Sequence, residues 1–156
     1  MRSSIFALCA AAVACAVGCG GGGDSYEIAE GNLSGKIGGQ SWEYASGWTD
    51  DFLSDEEDLF TVLYDVEAEA CGFGGPSTDR SILLDIPRTP GEYELSFNQN
   101  VTLAVGSDNN VATTGLLVVE SVTDTEAKVG LYAIFGGDED FEVNGHFTAT
   151  ICPPTP

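Results

Sequence analysis

Basic residues are scarce in this chain of 156 residues. Lys and Arg together number 5 against 25 Asp and Glu, which gives a formal net charge of -20 at pH 7. Proteins bind nucleic-acid backbones through patches of basic side chains, and so few cations cannot form such a patch. The composition therefore excludes nucleic acid as a natural partner, and it also opposes adhesion of the protein body to an anionic membrane surface.

Residues typical of catalytic sites are equally sparse. His146 is the single histidine, and no serine has the Gly-x-Ser-x-Gly sequence of a nucleophile elbow. Neither lysine lies in the glycine spacing of a phosphate-binding loop. Carboxylates are so numerous that no pair among them indicates glycoside cleavage. The sequence therefore favours a non-enzymatic protein, with His146 as an exposed strand residue.

A hydrophobic run long enough to cross a bilayer is also missing. The apolar stretch from Ile5 to Val17 falls short of the roughly 20 residues that a spanning helix requires, and glycines follow it. Arg2 precedes this stretch, as in the basic first part of a secretory signal. Residues 1–18 are therefore predicted to be a signal peptide.

The signal ends at Ala16-Val17-Gly18-Cys19, which resembles the lipobox of bacterial lipoproteins. The resemblance implies that the Cys19 thiol receives a diacylglyceryl group, that cleavage makes Cys19 the first residue, and that acyl chains such as palmitate anchor the protein. Ala16 departs from the preferred leucine, and a second match ending at Cys15 would leave a shorter signal. Gly20 lacks the inner-membrane retention signal of Gram-negative lipoproteins, which implies the outer membrane of the cell envelope.

Cysteine parity predicts one disulfide. Cleavage removes Cys9 and Cys15 and lipidation occupies Cys19, so that Cys71 and Cys152 remain. In an oxidising compartment two cysteines of a small domain are expected to pair, whereas a zinc site requires more ligands than these two and one distant histidine. Both cysteines follow predicted strands, so the expected bridge is a staple at the rim of the domain.

The remaining chain divides into residues 19–31, a lipidated cysteine and flexible glycine-rich tether, and residues 32–156, a single β domain. From residue 33 onward, apolar residues recur with period two in short runs separated by Gly, Asn, Asp and Pro. The fold class predicted is all-β, an antiparallel β-sandwich or calycin-like barrel of about 8–9 strands. The predicted strands are 33–37, 41–45, 59–70, 81–86, 92–97, 101–105, 114–122, 127–135 and 141–151.

Two strands carry specific predictions about their faces. In 59–70, Phe60, Val62 and Tyr64 share the apolar face and Thr61 lies on the other, although a helix capped at Ser54 also fits part of the pattern. In 141–151, the inward residues are Phe141, Val143, Phe147, Ala149 and Ile151, and the outward residues are Glu142, Asn144, His146, Thr148 and Thr150. Residues 108–110 and 136–138 are predicted to form turns.

Several segments together resemble a loose group of bacterial lipoproteins that carry β domains of unknown function. The segments, besides the lipobox, are Gly35-Lys36-Ile37-Gly38-Gly39-Gln40-Ser41-Trp42, Ile86-Pro87-Arg88-Thr89-Pro90-Gly91-Glu92-Tyr93, Gly115-Leu116-Leu117-Val118 and Val143-Asn144-Gly145-His146-Phe147. The resemblance implies a β-sandwich or calycin-like barrel and brings no catalytic residues. It therefore predicts a structural or interaction module that contacts an unidentified protein or small ligand.

A calcium site is the alternative with specific residues behind it. Ca²⁺ binds several carboxylate or carbonyl oxygens, and carboxylates cluster in residues 50–58 and again at Asp138, Asp140 and Glu142. Neither cluster has the EF-hand spacing, which favours solvated acidic loops over a specific site. An aromatic-lined ligand pocket is a further alternative to a packed core for Trp42, Tyr44, Trp48, Phe60, Tyr64, Tyr93, Phe97, Tyr132 and Phe135.

Overall fold

The computed structural model describes residues 26–72 and 75–154. The predicted lipid anchor at Cys19 lies outside this part of the chain. Within it the regular elements are eleven β-strands, with no helix of the length and hydrophobicity that a membrane span needs. The strands are Ser34–Ile37 (β1), Gln40–Glu43 (β2), Ser46–Thr49 (β3), Asp58–Tyr64 (β4), Arg80–Pro87 (β5), Gly91–Glu94 (β6), Val101–Val105 (β7), Asp108–Ala112 (β8), Thr114–Val122 (β9), Glu126–Ile134 (β10) and Phe141–Thr150 (β11).

The strands form one curled sheet. Its main path runs β6-β9-β10-β11-β3-β4-β5-β7-β8, while β1 pairs with β11 and β2 pairs with β1. Neighbours are antiparallel except β11 and β3, whose parallel contact joins Thr150 to Trp48. β8 and β9 are distant in this order, yet only Thr113 separates them in the chain. The sheet must therefore curl to bring them together, and the half-barrel that results confirms the predicted all-β class.

The concave side of the sheet holds the core. Alternate residues of nearly every strand point inward, as the period-two pattern predicts. The residues of this core that are no more than 2 % exposed include Leu33, Ile37, Trp42, Leu59, Leu63, Ile82, Ile86, Val101, Leu103, Leu117, Val119, Val129, Leu131 and Val143. Tyr44, Tyr93 and Phe135 pack against them from its rim. Burial of these side chains, at about 25 cal/mol per Å² of apolar surface, is the main stabilising contribution.

The prediction of about 8–9 strands was too low, because two short strands were missed. β3 is four residues long and contains Gly47, which has weak strand propensity. β8 occupies Asp108–Ala112, where Asp-Asn-Asn was predicted to form a turn. The turn lies instead at Gly106, whose φ of 58° is the left-handed conformation that glycine adopts readily. Pairing of β8 with β7 outweighs the local preference of the aspartate and asparagines.

The prediction for residues 59–70 was wrong in its length and in its faces. β4 ends at Tyr64, and it is Leu59, Thr61 and Leu63 that are buried in the core. The Thr61 hydroxyl donates a hydrogen bond to the Leu59 carbonyl at 3.0 Å, so no polar atom of its side chain is left unpaired. On the opposite face the ring of Tyr64 packs on Trp48, with ring centroids 4.9 Å apart.

The chain after β4 covers this second face. A Cβ added at Gly75 would collide with the Tyr64 hydroxyl, which places the returning chain directly over the ring. The Cys71–Cys152 disulfide joins this returning segment to the residues that follow β11, with the two Cα atoms 5.5 Å apart. The disulfide prediction is therefore confirmed, and the partial cover over the second face of β4 accounts for its apolar side chains.

The prediction for β11 is confirmed. Val143, Phe147 and Ala149 are buried, while Thr148 and Thr150 are exposed. Its outward side chains therefore lie on the convex face of the sheet. There they meet the described residues that precede β1.

Candidate functional site

A hydrogen-bonded acidic loop, residues 50–57, connects β3 to β4. The Asp50 carboxylate accepts hydrogen bonds from the backbone N–H groups of Phe52 at 2.9 Å and Leu53 at 3.2 Å. The Ser54 hydroxyl donates to the Asp50 carbonyl at 2.7 Å and accepts from the Phe60 N–H at 3.0 Å. The loop thus holds Phe52 93 % exposed beside Leu53, which is 56 % exposed, so two adjacent apolar side chains face solvent.

The second half of the acidic loop is fixed just as firmly. The Asp55 carboxylate accepts hydrogen bonds from the N–H groups of Glu57 and Asp58, both at 2.8 Å. These two bonds hold the pKa of Asp55 below its ordinary value. From the next turn, the Arg88 guanidinium donates to the Asp55 carbonyl at 2.9 Å, and the Arg88 N–H donates to the Glu57 carbonyl at 2.9 Å.

A second loop with an exposed aromatic side chain lies at the same end of the sheet. Phe97, between β6 and β7, is 89 % exposed. Gln99 of this loop donates to the Asp85 carbonyl at 2.8 Å. Burial raises the pKa of the Asp85 carboxyl, and the carboxylates of Asp58 and Asp55 raise it further. Exposed aromatic rings and mutually repelling carboxylates therefore share this end of the molecule.

Replacing Asp85 with asparagine is expected to stabilise the protein at neutral pH. Because folding raises the pKa of this carboxyl, the ionised form weakens the folded state at pH values above the raised pKa, and protonation relieves that effect as the pH falls. Since the group is partly exposed, we expect a gain of about 1 kcal/mol or less. Urea unfolding at pH 7 and at acidic pH checks this. The free energy of unfolding of Asp85→Asn should exceed that of the parent protein at pH 7 but not at acidic pH. An equal gain in stability at both pH values would contradict the electrostatic cause.

An open groove on the convex face is the second candidate. Its volume is about 610 Å³, and it is lined by Glu30, Gly31, Asn32, Tyr44, Glu120, Lys128, His146, Phe147 and Thr148. At its centre the His146 imidazole Nδ1 lies 2.7 Å from a carboxylate oxygen of Glu120. His146 is half-exposed in its predicted outward position on β11. A volume of this size is within the range of small-molecule sites.

One wall of the groove is formed by the segment that precedes β1. Asn144 holds it twice, since its amide oxygen accepts from the Ala29 N–H at 2.8 Å and its NH₂ donates to the Glu27 carbonyl at 3.1 Å. Tyr26 stacks on Tyr132 with ring centroids 5.3 Å apart. The Ile28 side chain packs over Gly130, so that a Cβ added at Gly130 would lie 3.0 Å from the Ile28 Cγ2 atom. Residues 26–31, assigned to the tether by sequence, thus lie against the sheet.

The predicted calcium ligands have separate partners. The Asp138 carboxylate accepts a hydrogen bond from the Asp140 N–H at 3.0 Å, and the Asp140 carboxylate lies 3.5 Å from the Lys36 ammonium. Glu142 lies beside the Tyr132 hydroxyl, whose pKa is raised by burial and then by this carboxylate. Within residues 26–72 and 75–154 no group of three or more acidic, histidine or cysteine side chains is arranged to hold a metal ion. Calcium binding stays a prediction.

The aromatic residues considered for a ligand pocket lie in several places. Trp42 is in the core, Trp48 and Tyr64 pack against each other on the opposite face of the sheet, and Phe97 points into solvent. Tyr44 packs on Phe147 with ring centroids 5.8 Å apart, and its hydroxyl donates to the Thr148 carbonyl. Of the set, Tyr44 is the one that lines the groove.

The chain matches no protein-family model, no curated protein and no solved structure. The resemblance to bacterial lipoproteins stays a prediction, as does the anchor at Cys19.

The pairing of Glu120 with His146 was missed by the sequence analysis, because residues 26 positions apart meet only through the strand register. The exposure of Phe52 did have a signal, since Phe52-Leu53 is an apolar pair within an acidic segment.

Proposed function

We propose that the protein is a lipid-anchored outer-membrane protein of the bacterial envelope. In this proposal its β domain is a non-enzymatic interaction module that contacts a partner protein through the acidic loop. The observation that carries the proposal is the 93 % exposure of Phe52 on a loop fixed by its own hydrogen bonds. Cys19 supplies the membrane anchor.

The acidic loop has the properties of a preorganised contact. Transfer of an exposed phenylalanine from water into a partner pocket is worth about 1.5–3 kcal/mol. The bonds from Asp50, Asp55 and Arg88 already order the backbone, so little conformational entropy is lost on association. The surrounding carboxylates favour a partner with basic residues around an apolar pocket, since complementary charge speeds encounter and rejects acidic surfaces.

The position of the acidic loop suits a tethered domain. The described chain begins at Tyr26, which stacks on Tyr132 opposite Asn144 of β11. The acidic loop follows β3, which meets β11 at Thr150. Six residues of strand separate these two positions, a distance of about 20 Å. The acidic loop therefore lies away from Tyr26, the described residue nearest to Cys19 in the sequence.

Membrane fractionation tests the anchor. The intact protein is expected in the membrane fraction, and its mass should begin at an acylated Cys19. Cys19→Ser should move it to the soluble fraction, because about 0.8 kcal/mol per buried methylene of the acyl chains is lost. Cys15→Ser is the matched control and should remain at the membrane. Release by Cys15→Ser instead would assign the anchor to Cys15, and retention of both variants would contradict lipid anchoring.

Site-specific photocrosslinking tests the contact. A photoreactive phenylalanine analogue at position 52 is expected to give a discrete crosslinked product in cells, and Asp51→Asn with Glu56→Gln should weaken it. The control position is Val111 of β8, which is 43 % exposed and lies outside the acidic loop. The same products at both positions, or none at position 52, would contradict a specific contact through Phe52.

A further inference from the structure

We propose that the groove beside β11 binds a small organic cation, an ammonium or guanidinium group on an apolar stem. The site is separate from the acidic loop, so the inference does not depend on the proposed partner contact. It rests on a preformed concavity of about 610 Å³ and on the charges around it.

Carboxylates outnumber cations around the groove. Glu30 and Glu120 line it, and the Glu120 carboxylate is paired with the His146 imidazole. Glu43 approaches from the side, where it accepts a hydrogen bond from the Asn32 amide at 3.3 Å. Lys128 also lines the groove, but its ammonium lies 3.4 Å from the Glu126 carboxylate. The surplus negative charge favours a cationic ligand, and the net negative charge of the whole protein raises the local concentration of cations.

The Tyr44 ring offers an apolar contact surface for the stem of the cation. The Tyr44 ring lines the groove and is held by its packing on Phe147 and by the hydroxyl bond to Thr148. Burial raises the pKa of Tyr44, and the nearby Glu67 carboxylate raises it further, so the neutral phenol persists at physiological pH. A cation over such a ring gains about 0.5–1 kcal/mol at an exposed site.

The groove is held open by backbone pairing. The Leu33 N–H donates to the His146 carbonyl at 2.7 Å, and the His146 N–H donates to the Gly31 carbonyl at 2.8 Å. Its floor is the antiparallel ladder of β10 and β11, in which Lys128 pairs with Thr148 and Gly130 with His146. The Glu120 side chain is already oriented by the imidazole. A ligand therefore meets a preformed site and loses little free energy to reorganisation.

Titration of the intact protein in detergent micelles with benzylammonium tests the inference. His146 is the single histidine, so its imidazole NMR signals report on the groove without ambiguity. Saturable shifts are expected with benzylammonium at constant ionic strength, and benzyl alcohol, the uncharged analogue, should bind much more weakly. Equal binding of the alcohol, or the absence of a saturable shift, would overturn the proposal.

Single substitutions test which charged side chains determine the affinity for benzylammonium. Glu120→Gln is expected to weaken benzylammonium binding about fivefold, as for the loss of one partly exposed charge contact. Glu30→Gln should also weaken it and leaves the bond between Glu120 and His146 intact. Lys128→Gln should strengthen binding, because it removes the competing cation. Asp108→Asn, on β8, removes the same charge elsewhere and should have no effect. Equal weakening by Asp108→Asn and Glu120→Gln would mean general screening and would overturn the site.

Discussion

Replacing Cys71 and Cys152 with serine is expected to lower the free energy of unfolding by about 4 kcal/mol. The bridge closes a loop with a sequence separation of 81 residues, and the entropy of closing a loop of that length in the unfolded chain gives this magnitude. Small domains have a total stability of about 5–15 kcal/mol, so the loss is a large fraction. Urea unfolding of the intact protein and of the double variant measures it directly.

The structure also predicts where the effect of the disulfide appears first. The bridge secures the segment that returns over Tyr64 and Trp48, and it lies beside the bond that the Cys152 N–H donates to the Thr49 hydroxyl at 2.9 Å. Hydrogen exchange of residues 65–72 should therefore rise before that of β10 and β11. The parent protein under reducing conditions is the control and should behave as the serine variant does. A stability loss below about 1 kcal/mol in both would contradict this account.

Replacing Gly115 with alanine is expected to lower the free energy of unfolding by about 4 kcal/mol or more, as the sum of a backbone-conformation penalty and a steric collision. Its φ is 142°, a backbone conformation that residues with a side chain rarely adopt, and an added Cβ would collide with the Tyr132 carbonyl oxygen. That oxygen belongs to the backbone of β10, which is fixed between β9 and β11. The collision cannot be relieved by a side-chain rotation, so the strand pairing itself must shift. Chemical denaturation of Gly115→Ala should show this cost.

Gly106→Ala is the control that measures the cost of a positive φ without a steric collision. Gly106 also has a positive φ, 58°, but beyond its two chain neighbours no heavy atom lies within 4 Å of the position of an added Cβ. Its replacement should cost about 1 kcal/mol, the usual penalty of a left-handed conformation. If Gly115→Ala and Gly106→Ala lose similar amounts of stability, the close approach of β9 to β10 does not exclude a side chain at position 115.

Several features of the fold could be predicted from local pattern. Runs of alternating apolar residues located nine of the eleven strands, and for β7 and β9 even the bounds agree with the structure. The pattern succeeded where one face of a strand is buried and the other is wet, as in β11. It failed in β4, where the second face is partly covered and carries Phe60, Val62 and Tyr64 outside the core.

The candidate sites were less predictable, because their parts come from distant positions in the chain. The groove joins the segment before β1 to β9, β10 and β11, and the crowding of Asp85 depends on carboxylates 27 and 30 positions earlier. No local spacing relates such residues. Acidic clusters are visible in the sequence, but whether their side chains converge depends on their partners, and Asp138, Asp140 and Glu142 each have a different one.

The sequence by itself determined the all-β class, the inward residues of β11, the pairing of Cys71 with Cys152 and the strongly acidic surface. Each of these follows from composition, from parity or from a period of two residues, which are local or additive properties. Tertiary structure alone decided the number of strands, the faces of β4 and the meeting of His146 with Glu120. These depend on long-range strand register and on which faces the loops cover, and such pairings are fixed by the packing of the whole sheet.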